Sequence, residues 1–262
     1  MHPGLWISKT GLDSQQTGVA VISNNIANAS TVGYKKGRAV FEDLLYQTIH
    51  QPGGISAQNT SLPNGLMLGA GSRVIAVQKS FTQGNFLTTK QSLDVMIDGQ
   101  GFFEVELPNG EIAYTRTGQF TLDNDGNLVM PGTGFLVSPG LQVPDDAMSI
   151  TISMDGQLSV KVPGQTDEQV IGDFGFATFI NPAGLEPIGG NMYIETEASG
   201  EPNEGTPGDD GFGVFRQSAL ETSNVNVAEE LVNLIQSQRI YEMNSKVISS
   251  VDSMLGFLVQ TV

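Results

Sequence analysis

Apolar side chains near the start of the chain recur at helical spacing. Pro3 and Gly33 bracket a segment whose apolar positions are three, four or seven residues apart. These positions are Leu5, Leu12, Val19, Ile22, Ile26 and Ala29. Such spacing puts them on one stripe of an α-helix, and proline suits the first turn of a helix whereas glycine suits its end. The pattern predicts a helix of about seven turns, weakened locally by Gly11 and Gly18.

The C-terminal segment carries a longer version of the same pattern. Asn226 and Glu229 have the spacing of a helix-capping pair, and acidic residues favour the N-terminal end of a helix. The apolar stripe that follows consists of Val227, Leu231, Leu234, Tyr241, Ile248, Val251, Leu255 and Leu258. This seam predicts one helix from about residue 226 to residue 259, with the periodicity of a coiled coil.

The middle of the chain alternates apolar and polar residues instead. Segments 103–107, 149–154 and 158–162 have a period of two, and Asn109-Gly110 and Asp155-Gly156 stand at turns between such segments. Alternation indicates strands, and an Asx-Gly pair indicates a tight hairpin. Further strand candidates are 112–114, 128–130, 174–180 and 192–196, with another turn at Asp125-Gly126. The middle is therefore predicted to be an antiparallel β-domain.

Glycine, proline and charge are spread unevenly along the 262 residues. The chain has 32 Gly, 12 Pro, no Cys and a net charge of −16. Residues 51–220 hold 26 of the glycines, 11 of the prolines and a net charge of −14. Because Gly and Pro favour turns over helix interiors, composition supports helical ends and a β-rich middle.

Together these patterns predict an α+β chain of several domains. Residues 1–45 and 221–262 are expected to form a helical core domain in which the N- and C-terminal helices pair as a coiled coil. Residues 46–70 are expected to form an extended connector, and residues 71–220 a mainly antiparallel domain, barrel- or sandwich-like. Two packings of the helices stay open: against the β-rich middle, or against each other and against copies of the chain.

Few residues have the pattern of a catalytic, metal or cofactor site. The lack of Cys excludes cysteine-ligated metals, only two His are present, and the acidic balance argues against nucleic acid. The segment DNDGN at 123–127 resembles the start of a calcium loop, but Gly134 occupies the position that requires Glu. The basic segment KKGR at 35–38 has two open interpretations, a solvated turn or a contact for an acidic surface. No catalytic residue, cofactor or metal is predicted.

No segment has the pattern of a cleaved signal peptide or of a membrane-spanning helix. Residues 1–9 contain no apolar core followed by a small-residue cleavage site, and no window of about 18 residues is continuously apolar. Membrane insertion is not expected. The pattern favours the cytoplasm, and it is also compatible with export by a route that uses no cleaved signal.

Several segments resemble the flagellar rod and hook family of bacterial axial proteins. Segment 24–35 has the sequence NNIANASTVGYK, segment 38–49 continues as RAVFEDLLYQTI, and segment 221–232 has the sequence ETSNVNVAEELV. Segments 99–105, 114–118 and 126–129 match the β-domain of that family. The signature positions are Asn24, Asn25, Asn28, Gly33, Tyr34, Asn224 and Asn226. The similarity covers nearly the whole chain in order and is greatest for distal rod members.

The resemblance implies a structural subunit, not an enzyme, that polymerises into a rigid helical tube and transmits motor torque to the hook. Its partners would be copies of itself, proximal rod proteins, the hook protein, the surrounding ring proteins and the flagellar export apparatus. It would lie in the basal body, where the rod crosses the periplasm, after export without a cleaved signal. Residues 46–70 would brace adjacent subunits.

The terminal helices would then form the inner layer of the tube. The expected inner contacts are Leu12, Val19, Ile22, Ile26, Leu231, Leu234, Tyr241, Ile248 and Leu255. Asn24, Asn25 and Asn28 would either hydrogen-bond across subunits or close the end of the first helix. Two alternatives remain: another axial subunit (hook or proximal rod), or a secreted β-domain enzyme or glycan-binding protein with helical tails.

Overall fold

Two long helices stand at the ends of the chain and all strands lie between them. The computed structural model describes residues 3–51, 55–57, 60–61, 64–164, 168–209 and 211–260. Helix α1 spans Pro3–Ala27 and helix α2 spans Val227–Gln260. The predicted arrangement of helical ends around a mainly antiparallel β-rich middle is confirmed. Helix α1 ends before Gly33, which instead follows a series of turns.

The strands are short, and every strand pair in the described part of the chain is antiparallel. The first six are β1 (Gly37–Asp43), β2 (Tyr46–His50), β3 (Ile55–Ala57), β4 (Thr60–Ser61), β5 (Leu66–Gly69) and β6 (Ser72–Lys79). The next eight are β7 (Phe86–Thr88), β8 (Val95–Asp98), β9 (Phe102–Glu106), β10 (Ile112–Thr115), β11 (Thr121–Leu122), β12 (Leu128–Val129), β13 (Leu136–Val137) and β14 (Ser149–Ile152). The last eight are β15 (Gln157–Lys161), β16 (Gln169–Asp173), β17 (Phe176–Thr178), β18 (Glu186–Gly189), β19 (Met192–Ile194), β20 (Asn203–Glu204), β21 (Val214–Gln217) and β22 (Ala219–Glu221).

The chain divides into two compact units, each built from separate stretches. The terminal unit comprises Met1–Ala27, Gly37–Lys79 and Asn226–Val262, and the central unit comprises Asn28–Lys36 and Ser80–Val225. Strand β1, which the sequence placed in the helical domain, pairs with β6, which it placed in the β-domain. The three-part division into 1–45 with 221–262, 46–70 and 71–220 stays a prediction.

In the terminal unit the two helices run antiparallel, and positions that advance along α1 contact positions that recede by the same number along α2. The side-chain amide of Asn25 donates to the Glu230 carboxylate over 3.3 Å, and Gly11 approaches the amide group of Asn244 closely. Close to these contacts on the same side of α1, the hydroxyl of Ser14 donates to the carbonyl of Ser72 in β6. Helix α1 therefore packs both against α2 and against the β1–β6 pair.

In the central unit, strand β9 lies inside a nine-stranded sheet that is covered on both faces. One edge of β9 pairs with β10 and the other with β13 and β17. Phe103 and Val105 belong to the larger apolar cluster, whereas Phe102 belongs to a second cluster with Tyr114 and Phe179. Burial on both faces explains why the whole segment Phe102–Val105 is inaccessible to solvent.

The expectation of a barrel is wrong for the described strands. The order of the large sheet starts at β11 and ends at β18, with β17 and β20 as a side branch, so the sheet has free edges. The remaining strands form separate sheets of two or three strands. Closure requires strands with matched tilt and register around a ring, and strands as short as two residues do not supply it.

The predicted hairpin turns are confirmed. Asn109-Gly110 connects β9 to β10, and Asp155-Gly156 connects β14 to β15. Gly110 and Gly156 have φ of +83° and +84°, values that favour glycine. Segment 123–127 is likewise a tight turn, since the amide of Asp123 donates to the carbonyl of Asn127 between β11 and β12.

Candidate assembly site

The N- and C-terminal signature segments meet within the central unit. Residues 28–36, which we call the strap, lie beside the segment that precedes α2. The side-chain oxygen of Asn224 accepts the amide of Lys36 at 2.8 Å, and its NH₂ group donates to the carbonyl of Ser80 at 2.8 Å. The amide of Gly33 donates to the carbonyl of Glu221 at 2.8 Å. Asn224 thus fixes the strap to two other stretches of chain.

Gly33 is required by close approach. Its φ is +69°, and a Cβ at this position would lie 2.9 Å from the backbone nitrogen of Thr117. The neighbouring Val32 carbonyl accepts a hydrogen bond from the Asn191 amide at 2.9 Å. Tyr34 is buried beside it. The signature positions Gly33 and Tyr34 therefore seat the strap against the central unit.

A buried charge cluster lies beneath the strap. The ammonium of Lys35 donates to Oε1 of Glu221 at 2.6 Å and to the Thr82 carbonyl at 2.9 Å. Nη1 of Arg116 lies 3.5 Å from Oε2 of the same carboxylate. All three charged side chains are almost fully buried. One carboxylate thus serves two cations.

Burial changes the protonation behaviour of this cluster. Desolvation and the nearby Arg116 charge lower the pKa of Lys35 to about 8, although Glu221 acts to raise it. Desolvation also lowers the pKa of Arg116. Both interpretations of the basic segment 35–38, a solvated turn or a contact for an acidic surface, are wrong for Lys35, because its side chain is 0% exposed.

The signature residues Asn25 and Asn226 act within the terminal unit. Asn25 donates to the carbonyl of Gly37 at 2.8 Å and accepts its amide at 2.9 Å, so it anchors the start of β1 beside the end of α1. Asn226 caps α2, since its side-chain oxygen accepts the amide of Ala228 at 3.1 Å. Asn24 is exposed, and the side-chain oxygen of Asn28 accepts the hydroxyl of Thr31 at 3.2 Å.

The residues expected to form the inner contacts are only partly covered in the single chain. The half-buried members are Leu12, Val19, Ile22, Ile26, Leu234, Ile248 and Leu255. Leu231 and Tyr241 remain 47% and 45% exposed. Val19 and Tyr241 line a groove of about 370 Å³ between α1 and α2. The helix pair therefore leaves part of its predicted seam accessible.

Helix α2 carries a second apolar seam that the sequence analysis missed. Ile240, Val247 and Met254 recur every seven residues, and Met243 and Phe257 follow the first and last of them by three residues. All five are exposed, from 38% for Ile240 to 68% for Phe257. At 100° per residue the middle of this seam lies roughly 100° around α2 from Glu230 and Asn244, the residues that contact α1, and its first residue, Ile240, adjoins that contact.

A second exposed apolar element is the β2–β5 pair, which we call the β2–β5 ribbon. Tyr46 lies opposite Gly69, and Gln47 lies opposite Leu68. Ile49, Leu66 and Met67 are about half exposed. The other residues of the predicted connector include β3 and β4, which pair with each other, and positions 52–54, 58–59 and 62–63, which lie outside the described residues.

In the described part of the chain, no group of three or more His, Asp or Glu side chains is arranged to hold a metal ion. None of the helices in that part combines the length and apolar content needed to cross a bilayer.

Sequence reasoning also missed Arg116 and Glu221 as a buried pair. They are 105 positions apart, and each stands in a segment that the sequence singled out only by resemblance. The available signal was a charged residue with strand-forming residues on either side of it in the sequence. This signal does not by itself show whether the charged side chain points into the core or into solvent.

Comparison with known families gives matches along most of the chain. Residues 6–35 match the family model for flagella basal body rod proteins, and residues 96–160 match the D1 domain of the flagellar hook protein FlgE/F/G. Residues 216–261 match the C-terminal region of the flagellar basal body rod FlgEFG proteins.

Individual relatives are similar over their full length. The flagellar basal-body rod protein FlgG of Buchnera aphidicola from Acyrthosiphon pisum is 54% identical, over 99% of this chain and 100% of that protein. FlgG of Bacillus subtilis is 38% identical, over 99% and 98%. The hook protein FlgE of Borreliella burgdorferi is 35% identical over only 52% of this chain and 30% of its own. Full-length similarity at this level shows that the chain belongs to the FlgG family of flagellar basal-body rod proteins.

Proposed function

We propose that the chain is a structural subunit of the distal rod that polymerises with copies of itself into a helical tube. The tube carries torque from the motor to the hook. The observation that carries this proposal is the second seam of α2, because five exposed apolar residues at heptad spacing form a stripe suited to another helix. Head-to-tail contacts that do not close on themselves generate a filament.

The finer assignments rest on the family. The two terminal helices would supercoil in an inner layer, and the β2–β5 ribbon would brace neighbouring copies. Proximal rod proteins and the hook protein would join the ends of the tube, and ring proteins would surround it. The subunit would reach the periplasm through the flagellar export apparatus without a cleaved signal. Full-length similarity to FlgG favours this role over that of a hook subunit.

The test separates assembly from folding. Val247→Asp combined with Met254→Asp places two charges on the second seam, at side chains that are 45% and 57% exposed. We expect the variant to keep the melting midpoint of the unmodified chain and to form no tubes by electron microscopy. Ser249→Asp, an exposed residue on a different side of α2, is the matched control and should form tubes. Normal tubes from the double variant would contradict the proposal.

A further inference from the structure

A cavity of about 500 Å³ lies in the central unit and is bordered by aromatic rings. Phe102 packs edge-on against Phe81 and Phe179, with ring centroids 5.4 and 5.8 Å apart. Such contacts hold aromatic rings in a defined orientation. Ile180, whose side chain is 95% exposed, stands at the same cavity. The cavity therefore has an apolar aromatic wall beside polar residues such as Gln83 and Gln100, and it is reachable from solvent.

Arg116 contributes the charged part of the cavity lining. Its Nη2 donates to the carbonyl of Gly99 at 2.8 Å, and its side chain is 3% exposed. Its Nε has no hydrogen-bond partner among the described residues. A buried donor without a partner is costly, so the guanidinium has capacity for one more acceptor.

The charge of Arg116 is also incompletely matched. Its ion pair with Glu221 is long, at 3.5 Å. The other carboxylate oxygen of Glu221 accepts from Lys35 at 2.6 Å and from the amide of Gly84 at 2.7 Å. Two cations and one anion leave this cluster with a formal charge of +1, inside a chain whose net charge is −16. Low polarity around the cluster strengthens its attraction for a further anion.

We propose that this cavity is a binding site for a carboxylate carried on an apolar stem, with the carboxylate at Arg116 and the stem against the aromatic rings. A planar guanidinium matches the geometry of a carboxylate. Two sources supply this chemistry: a small organic acid, or an acidic side chain from a second copy of the chain. Residues 51–220 contain twenty acidic residues, so a neighbouring copy presents many such groups.

The test measures binding to the full-length chain by ligand-observed NMR, together with the Nε–H resonance of Arg116. The small-acid probe is 3-phenylpropionate, and its uncharged control is 3-phenylpropanamide. The second-copy probe is the peptide EPNEGTPGDD, which is segment 201–210, and its control carries Gln and Asn in place of Glu and Asp. We expect saturable binding of at least one acidic probe, a shift of the Arg116 resonance, and at least about fivefold weaker binding of the matching uncharged control.

Because substitution of Arg116 itself removes a buried charge, the decisive variant is Ile180→Asp. A carboxylate at this exposed rim position should weaken binding of the acidic probe by about fivefold through like-charge repulsion. Ile188→Asp, in β18 and outside the cavity lining, should change binding by less than about twofold. Binding by 3-phenylpropionate alone identifies a small-acid site, and binding by the peptide identifies a contact between copies. Equal binding of charged and uncharged probes, no binding by either acid, or an unchanged affinity in Ile180→Asp would overturn the proposal.

Discussion

Glu104 is an acidic residue within strand β9, and its two neighbours in the sequence, Phe103 and Val105, belong to the larger apolar cluster. The residue is 5% exposed, and Oε1 has no hydrogen-bond partner among the described residues. Desolvation, together with the nearby Glu204 charge, raises the pKa of Glu104 to about 6. The folded chain therefore binds this proton more tightly than the unfolded chain, whose carboxyl has the ordinary value of 4.5.

This shift predicts a stabilising substitution. The free energy of unfolding should fall as pH rises from about 4.5 to about 6, because burying the charged form costs energy. Glu104→Gln removes that cost, so we expect a gain of about 1 kcal/mol at pH 7.5 and a flatter pH dependence. Urea unfolding at pH 5 and 7.5 measures both. Glu106→Gln, at the exposed next-but-one position in β9, should change neither; a less stable Glu104→Gln at pH 7.5 would refute the assignment.

Glu221 has the opposite role, since its charge compensates two buried cations. Glu221→Gln keeps the shape but removes the carboxylate that Lys35 and Arg116 share, so we expect a loss of about 3 kcal/mol at pH 7. The pKa of Lys35, already lowered to about 8, should fall further. The unfolded state then binds that proton more tightly, and the stability of the variant should recover as pH rises toward 10.

Urea unfolding between pH 7 and 10 checks the prediction for Glu221. Glu106→Gln again serves as the control for loss of one negative charge. A variant carrying both Lys35→Met and Glu221→Gln should regain part of the stability at pH 7, because one buried cation is gone. If Glu221→Gln unfolds like the control, the buried cluster contributes no stability.

At the scale of elements, the β2–β5 ribbon is the proposed brace between neighbouring copies, and the segment that connects its two strands can be shortened. His50 pairs with Leu66, so a two-residue Asn-Gly turn in place of residues 51–65 suits closure of the hairpin at that register. We expect this variant to fold and to form tubes that bend more readily, because the proposed brace between neighbours is shortened. Electron microscopy of tube curvature provides the measurement. The control replaces residues 51–65 with a Gly/Ser sequence of equal length. If the Asn-Gly variant forms tubes as straight as those of the unmodified chain, the segment does not act as a brace.

The elements differ in how far the sequence could predict them. The helices and the Asn109-Gly110 hairpin are determined by residues close together in the sequence, so the local pattern was sufficient to predict them. The β1–β6 pair joins residues that are 29 (Asp43 and Ser72) to 42 (Gly37 and Lys79) positions apart, so neither strand shows its partner locally. Alternation over 103–107 places Glu104 on the face opposite Phe103 and Val105, and it gives no sign that this second face is covered as well. The second seam of α2 was missed because the first seam already explained the helix.

At the scale of the whole molecule, net charge opposes assembly. Copies with a charge of −16 repel each other, and the screening length shortens from about 14 Å at 0.05 M salt to about 6 Å at 0.3 M. We expect the critical concentration for tube formation to fall by roughly threefold or more over this range. Sedimentation of tubes at each salt concentration measures it. Asp145→Asn with Asp146→Asn should assemble more readily at low salt and respond less to added salt; an opposite salt dependence would contradict the argument.

The strap has a practical consequence. A fragment cut at the boundaries of the long stretch, 80–225, would contain Glu221 but lack Lys35, Gly33 and the Lys36 amide that donates to Asn224. The nine-residue stretch Asn28–Lys36 is then a removable piece that a synthetic peptide can replace. When the peptide and the fragment are mixed, recovery of the spectroscopic signal of the folded state would report the association of residues 28–36 with residues 80–225.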